Sequence, residues 1–323
     1  MNPRRREATH VAVRDGRILG AGSLSELQTW GDVRLDERFK DKVLMPGFVE
    51  GHAHVMEGSL WSKVYCGWFD RADPDGKLWS GVKSVDAVVE RLRAAEAALE
   101  DPAAAVSGWQ LDPIYMDNIT VTRADLDRVS TTRPVGVLHA SGHIMNVNTK
   151  ALELAGMMKT GHNHPGIPLG ADGLPTGELK GPEVMTPVGP FVGFERNLLD
   201  ADEAGLRNFA KLCVRTGTTT ITDLASRMDE DTADMMLRVT SEPHYPIRLM
   251  PFRFFLGLSA PELVETVLAM KKRATDRLRL GQIKIVVDGS IQGFSARLRW
   301  PGYHNGAPNG LWYIAPEHLS ELL

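Results

Sequence analysis

Residues 42–54 read KVLMPGFVEGHAH, and this stretch decides the fold. Its apolar part, 42–49, predicts a buried parallel strand that ends in Glu50-Gly51-His52-Ala53-His54, the end at which barrel enzymes carry functional side chains. Side chains two positions apart on a strand point to the same side, so the imidazoles of His52 and His54 can bind one metal ion. The alternative is two ordinary strand-end histidines. The position after an apolar strand favours the metal site.

After residue 203 the sequence alternates between helical and strand patterns. A helix at 203–216 ends before Gly217, and the run TTTITDL, helix 228–241, strand 246–253, helix 260–274 and strand 282–289 follow. Such alternation predicts parallel βα units, in a barrel or an open sheet. A Gly-rich phosphate fingerprint is absent after the first strand, which disfavours a dinucleotide-binding open sheet.

The part before residue 203 is less regular. Residues 8–22 predict two short strands around Asp15-Gly16, a dipeptide that suits a tight hairpin. Residues 60–203, rich in Gly and Pro, are interpreted as an insertion that contains a helix at 84–100, a helix capped by Thr122 and a strand at 134–140.

Composition excludes several classes of partner. The 323 residues carry a net charge of −4 with interspersed signs, which favours a small-molecule partner over nucleic acid. The two cysteines, Cys66 and Cys213, predict neither a disulfide framework nor a Cys-based zinc site. Without a long apolar run or a signal-peptide pattern, we expect a cytoplasmic protein that does not enter membranes. The sequence leaves a homo-oligomer open.

PGFVEGHAH resembles the strand-one signature of the amidohydrolase superfamily. Within it the chain is most similar to the YtcJ-like group, amidohydrolase family 3, which includes N-substituted formamide deformylases. The shared motifs are SGWQLDP, TRADLDRVSTTRPV, SGHIMNVNTKAL, GLPTGEL, GTTTITD and IKIVVDGS, in the same order over nearly the whole chain.

The resemblance implies an α/β fold with a small N-terminal β-sandwich portion and a TIM (β/α)8 barrel of the metal-dependent hydrolase type. Residues 1–45 would supply sandwich strands, and 46–323 the first half of the barrel, with 60–203 as a substrate-covering insertion. Further histidine ligands and a catalytic aspartate, which the resemblance implies on later strands, have no counterpart after residue 289. We therefore expect a partial barrel from a truncated or incomplete chain, with two open sheet edges.

Candidate site residues follow from the same motifs. Lys284, inside the apolar strand IKIVV, matches the strand-four lysine that carbon dioxide carboxylates in many binuclear members; alternatively, its ammonium reaches solvent or a carboxylate. Asp288, before Gly289, is a candidate catalytic residue or a turn aspartate. His143 and Trp109 are candidate substrate-binding residues, or else structural ones.

A second H-x-H, His162-Asn163-His164, lies in a loop without a preceding strand, so we do not expect metal there. The motif Gly177-Glu178-Leu179 departs from the group pattern, in which a glutamate often stands two residues after the leucine; here that residue is Gly181. Glu183 is a candidate to compensate for it.

The expected function is hydrolysis of a C–N bond in an amide, formamide or related small molecule by metal-activated water. Zn²⁺, as one or two divalent ions, would be bound by His52, His54 and a carboxylated Lys284. One alternative is a catalytically silent fragment or interaction protein of the same fold. Another is a deaminase of the superfamily, which usually works with one metal and without the strand-four lysine.

Overall fold

The protein is described here by a computed structural model of residues 7–117, 119–194, 201–255, 258–289, 291, 294, 296–310 and 312–322, without the side chain of Ala225. Its internal contacts divide the chain into two units, Met1–Phe48 and Val49–Leu323.

The strands of the described residues are β1 (His10–Arg14), β2 (Arg17–Gly22), β3 (Phe48–Ala53), β4 (Val64–Tyr65), β5 (Arg71–Ala72), β6 (Leu78–Trp79), β7 (Val106–Leu111), β8 (Val135–His139), β9 (Ile144–Val147), β10 (Glu178–Lys180), β11 (Thr218–Ser226), β12 (Arg248–Phe254) and β13 (Gln282–Lys284). The helices are α1 (Leu24–Gln28), α2 (Glu57–Leu60), α3 (Val85–Glu96), α4 (Arg123–Asp127), α5 (Thr149–Leu154), α6 (Pro182–Met185), α7 (Glu203–Arg215), α8 (Glu230–Thr240), α9 (Ala260–Lys271) and α10 (Pro316–Leu322). Among the described residues, no helix has the length and apolar character needed to cross a membrane.

The N-terminal unit contains the expected hairpin. Strands β1 and β2 pair antiparallel, and the turn places Asp15 at φ +50° and Gly16 at φ +72°. This left-handed geometry is the reason for the Asp-Gly dipeptide. Between Gly22 and Phe48 the described chain forms α1 and a short 3₁₀ turn but no further strand.

A four-stranded sheet in the larger unit has the order β13-β12-β11-β3. Strand β12 pairs in parallel with β11 on one side and with β13 on the other. Helices α7, α8 and α9 alternate with these strands, and a core that includes Leu206, Ile221, Met236 and Leu249 fills the space between them. The predicted series of parallel βα units is therefore confirmed.

Both outer strands of this sheet differ from the sequence prediction. The prediction of a buried strand over 42–49 is wrong, because β3 begins only at Phe48 and Val49 is 69% exposed. Strand β3 lies at the sheet edge, and Pro46 cannot donate a ladder hydrogen bond. The strand expected over 282–289 ends at Lys284, because its partner β12 ends at the paired residue Phe254.

The insertion contains a five-stranded sheet, a feature that its irregular sequence did not predict. The order is β10-β9-β8-β7-β4, with β4, β7 and β8 parallel and the remaining pairs antiparallel. Helix α3 and the capping box of Thr122 with Asp125 are confirmed. The side chain of Asn148 accepts from the N–H groups of Val135 and Ala151 and donates to two carbonyls of the 130–133 turn.

Two glycines allow α2, directly after the histidine strand, to touch α7. A Cβ on Gly58 would lie 1.9 Å from the Gly205 carbonyl oxygen, and a Cβ on Gly205 would lie 1.9 Å from Ser59 Oγ. Ser59 Oγ donates to Asp202 Oδ1 over 2.9 Å, and the same oxygen caps α7 by accepting from Gly205 N. The end of β3 is thus held against the N-terminus of α7.

Candidate metal centre

The two histidines of the strand-one motif lie at the carboxyl end of β3. Their ring centroids are 5.3 Å apart and the ring planes are inclined by 81°. Glu50 fixes the approach to this end of the strand, because its Oε1 accepts a hydrogen bond from His52 N over 2.9 Å. The neighbouring imidazoles are the pair that the sequence predicts as metal ligands.

His54 is surrounded by three other candidate site residues. Burial, the largest cause, lowers its pKa together with the charges of His52, Lys284 and His143, to about 4 in all. Lys284 is the last residue of β13, and His143 lies in the turn between β8 and β9. The structure therefore places the strand-four lysine and the histidine of the insertion close enough to the strand-one histidines to act on the charge of His54.

His143 is the contribution of the insertion sheet to this site. Its imidazole is exposed on one side, while the surrounding protein lowers the pKa of the ring by desolvation. Its backbone is held on both sides, since His143 N donates to Ser141 Oγ and the His143 carbonyl accepts from Gly181 N.

Asp223 is a site residue that the sequence interpretation missed. It lies on β11, next to β3 in the sheet, with 2% of its side chain exposed. Its Oδ1 is 3.8 Å from His54 Nδ1. The available signal was a single carboxylate near the end of the otherwise uncharged run TTTITDL.

Two predicted residues are not among the groups that act on His54. Trp109 is 1% exposed, and its ring packs edge-on against Trp61 at 5.1 Å and Tyr65 at 5.6 Å. Asp288 Oδ2 accepts from Arg297 N over 2.8 Å, a contact that organises the loop after β13. Substrate binding by Trp109 and catalysis by Asp288 stay predictions.

The imidazole nitrogens of the second H-x-H, His162 and His164, contact groups nearby in the insertion. His162 Nε2 lies 2.9 Å from the Met157 carbonyl oxygen, so it donates to that oxygen. His164 Nδ1 accepts from Gly166 N, and its Nε2 lies 3.1 Å from Glu183 Oε2. Glu183 thus contacts the loop histidine.

Comparisons with known proteins identify the family of this chain. Residues 39–309 match the model of the amidohydrolase family. The chain belongs to this family. The amidohydrolase is 27% identical to the "Putative amidohydrolase YtcJ" of Bacillus subtilis (strain 168), over 97% of this chain and 56% of the relative. The resemblance to the YtcJ-like group is therefore confirmed.

A second relative is the "Protein LONG AFTER FAR-RED 3" of Arabidopsis thaliana, 27% identical over 97% of this chain and 52% of the relative. This amidohydrolase thus spans about half the length of the curated relatives it matches.

Among solved structures, the amidohydrolase is similar in fold to an uncharacterized metal-dependent hydrolase from Pyrococcus horikoshii OT3. The TM-score is 0.61 at 17% identity, over 97% of this chain and 57% of that chain. For an uncharacterized metal-dependent hydrolase from Pyrococcus furiosus, the TM-score is 0.56 at 17% identity, over 97% of this chain and 59% of that chain.

The donor set of the amidohydrolase fits part of a divalent-metal site. Two imidazoles lie at one strand end, where the charge of Lys284 acts on His54, and within the described residues the buried His54 Nδ1 has no hydrogen-bond partner. No group of three or more His, Cys, Asp or Glu side chains in the described part of the chain is arranged to hold a metal ion. The site as described therefore contains two histidines and a lysine as candidate ligands.

Proposed function

We propose that this chain belongs to a metal-dependent hydrolase that cleaves a C–N bond of an amide, a formamide or a related small molecule. The observation that carries the proposal is the convergence of His52, Lys284 and His143 on His54 at the carboxyl ends of β3 and β13 and the edge of the insertion. Family membership and the fold shared with metal-dependent hydrolases support it.

The four-stranded sheet would form the first part of a TIM barrel. Its strands are neighbours in chain order, and the connections pass through α7, α8 and α9. Barrel enzymes place their chemistry at the carboxyl ends of such strands, where His54 and Lys284 lie. The order of the strands and the position of His54 and Lys284 at the strand ends support this part of the proposal.

His52 and His54 would hold the ion, with Lys284 as a third ligand after carboxylation of its Nζ by carbon dioxide. A bound divalent ion such as Zn²⁺ would lower the pKa of its water toward ~7 and polarise a carbonyl. The chain's own residues would hold and orient these groups. Burial keeps the His54 imidazole neutral at pH 7, the form in which a ring nitrogen can act as a ligand.

His143 would face the substrate from the insertion side. A neutral imidazole has one donor and one acceptor nitrogen, so it can accept a hydrogen bond from the N–H of an amide or donate one to the amide oxygen. Its hydrogen-bonded backbone would keep the ring in place over the strand ends. This supports a polar group of the amide or formamide type as the substrate's reacting part.

The alternative is a catalytically silent protein that keeps the fold. One observation favours it: the described residues contain no complete group of three His, Cys, Asp or Glu ligands. Metal content separates the two hypotheses.

The test is the amount of zinc per chain, measured by elemental analysis of the purified protein. The variant His52→Ala/His54→Ala should lose the zinc, whereas His162→Ala/His164→Ala, which removes the other H-x-H, should keep it. Zinc retained by the first variant would reject the proposed site, and zinc absent from the unmodified protein would favour the silent alternative.

The products distinguish hydrolase from deaminase. With N-substituted formamides as probes, the proposal expects formate and an amine, whereas release of ammonia from an amino-substituted ring would indicate the deaminase. Zinc-loaded protein that hydrolyses neither class would support the silent alternative.

A further inference from the structure

Asp223 places a buried carboxyl group next to the predicted metal ligands. Its strand, β11, is the neighbour of β3, and Thr222 Oγ1 donates to the Glu50 carbonyl over 3.3 Å just before it. Only 2% of the Asp223 side chain is exposed. Buried carboxyl groups are stabilised by hydrogen-bond donors, and the His54 imidazole lies beside this one.

His54 offers such a donor. Its Nδ1 is buried, has no hydrogen-bond partner among the described residues, and lies 3.8 Å from Asp223 Oδ1. A neutral imidazole carries its proton on one nitrogen and a lone pair on the other. A proton on Nδ1 faces the carboxylate favourably, whereas a lone pair there would face a negative charge.

The distance is about 0.9 Å longer than an ordinary N–H···O hydrogen bond of ~2.9 Å. The proposal requires the His54 side chain, which is 39% exposed, to rotate so that this distance shortens. Histidines that bind metals commonly donate their other ring N–H to a carboxylate, which selects the tautomer and the ring orientation.

We propose that Asp223 is a positioning residue for His54: its carboxylate accepts the Nδ1–H and leaves Nε2 as the nitrogen for the metal. The assignment of Nε2 to a metal rests on the proposed function. The tautomer itself is a property of the metal-free chain. Asp223 is thereby distinguished from the ligands, because it acts only through His54.

The first experiment determines the His54 tautomer by ¹⁵N NMR of metal-free, histidine-labelled protein, with the His54 signals assigned by their absence in His54→Ala. Unmodified protein should show a protonated Nδ1, and Asp223→Ala should shift the population toward protonated Nε2. His139, whose Nε2 contacts Asn146 Oδ1 in the insertion sheet, is the internal control and should not change. Protonated Nε2 in the unmodified protein would overturn the proposal.

The second experiment measures zinc affinity by competition with a chelator. Asp223→Asn, which keeps the shape of the side chain, should weaken zinc binding about 10- to 100-fold, as removal of such partners typically does. Equal affinity, with a folded variant by thermal unfolding, would reject the positioning role while the metal site stands. Absence of zinc from the unmodified protein would instead count against the proposed function, and the NMR result would still decide the tautomer.

Discussion

Replacement of Gly58 by alanine tests the contact between α2 and α7. The added Cβ would lie 1.9 Å from the Gly205 carbonyl oxygen, about 1.5 Å short of an ordinary contact that begins near 3.4 Å. The nearest atoms belong to the backbone of α7, with Phe209 N at 2.8 Å from the same Cβ. Flexible side-chain movement therefore cannot relieve the overlap, and the two helices must separate.

We expect Gly58→Ala to lower the free energy of unfolding by about 3 kcal/mol, the upper part of the usual range for overpacked sites. At roughly 2 °C per kcal/mol for a large domain, the Tm should fall by about 6 °C. Differential scanning calorimetry measures both quantities. Since α2 follows His54 directly, the same displacement should also weaken zinc binding.

Gly51→Ala is the matched control, because a Cβ at Gly51 meets nothing within 4 Å. It should leave the Tm unchanged or raise it slightly through the lower entropy of the unfolded chain. If both variants unfold at the same temperature, the reasoning from the close approach of α2 to α7 is refuted.

Three further predictions concern side chains that are buried or that make several hydrogen bonds. Burial raises the pKa of the Cys66 and Cys213 thiols to about 12, so iodoacetamide at pH 8 should modify neither in the native protein and both after denaturation; rapid native modification seen by intact mass would contradict this. Asn148→Ala removes a fully buried side chain that makes four backbone hydrogen bonds, and should cost about 3 kcal/mol in chemical denaturation; a cost near zero would show that these bonds are not needed. Arg215→Met removes hydrogen bonds to the carbonyls of residues 72, 73 and 74, and should speed amide hydrogen exchange in the β5–β6 hairpin. Lys211→Met, which removes only an exposed ion pair with Asp75, should have little effect, and equal exchange in both variants would reject the anchoring role.

Local sequence patterns were sufficient to predict part of the fold and part of the candidate site. The tight turn at Asp15-Gly16, the capping box at Thr122 and the alternation after residue 203 depend on neighbours in sequence, and each is confirmed. His52 and His54 were recognisable because a period of two on a strand places them on one side.

Other features depend on contacts between distant residues. The insertion sheet forms from short strands without clear alternation, so its existence depends on pairing between segments such as β4 and β7. Asp223 could not be distinguished from a turn aspartate, because its burial and its distance to His54 arise only when β11 lies beside β3. The exposure of β3 likewise depends on its place at the edge of the sheet.

The four-stranded sheet and the five-stranded insertion sheet have separate hydrophobic cores. The core around Leu206 and Ile221 and the cores around Trp109 and Leu92 share no buried residue. His143 belongs to the insertion sheet, whereas His54 and Lys284 belong to the other one. In evolution, mutations that repack the insertion can therefore change the surroundings of His143, while the strands that end near His54 and Lys284 keep their own packing.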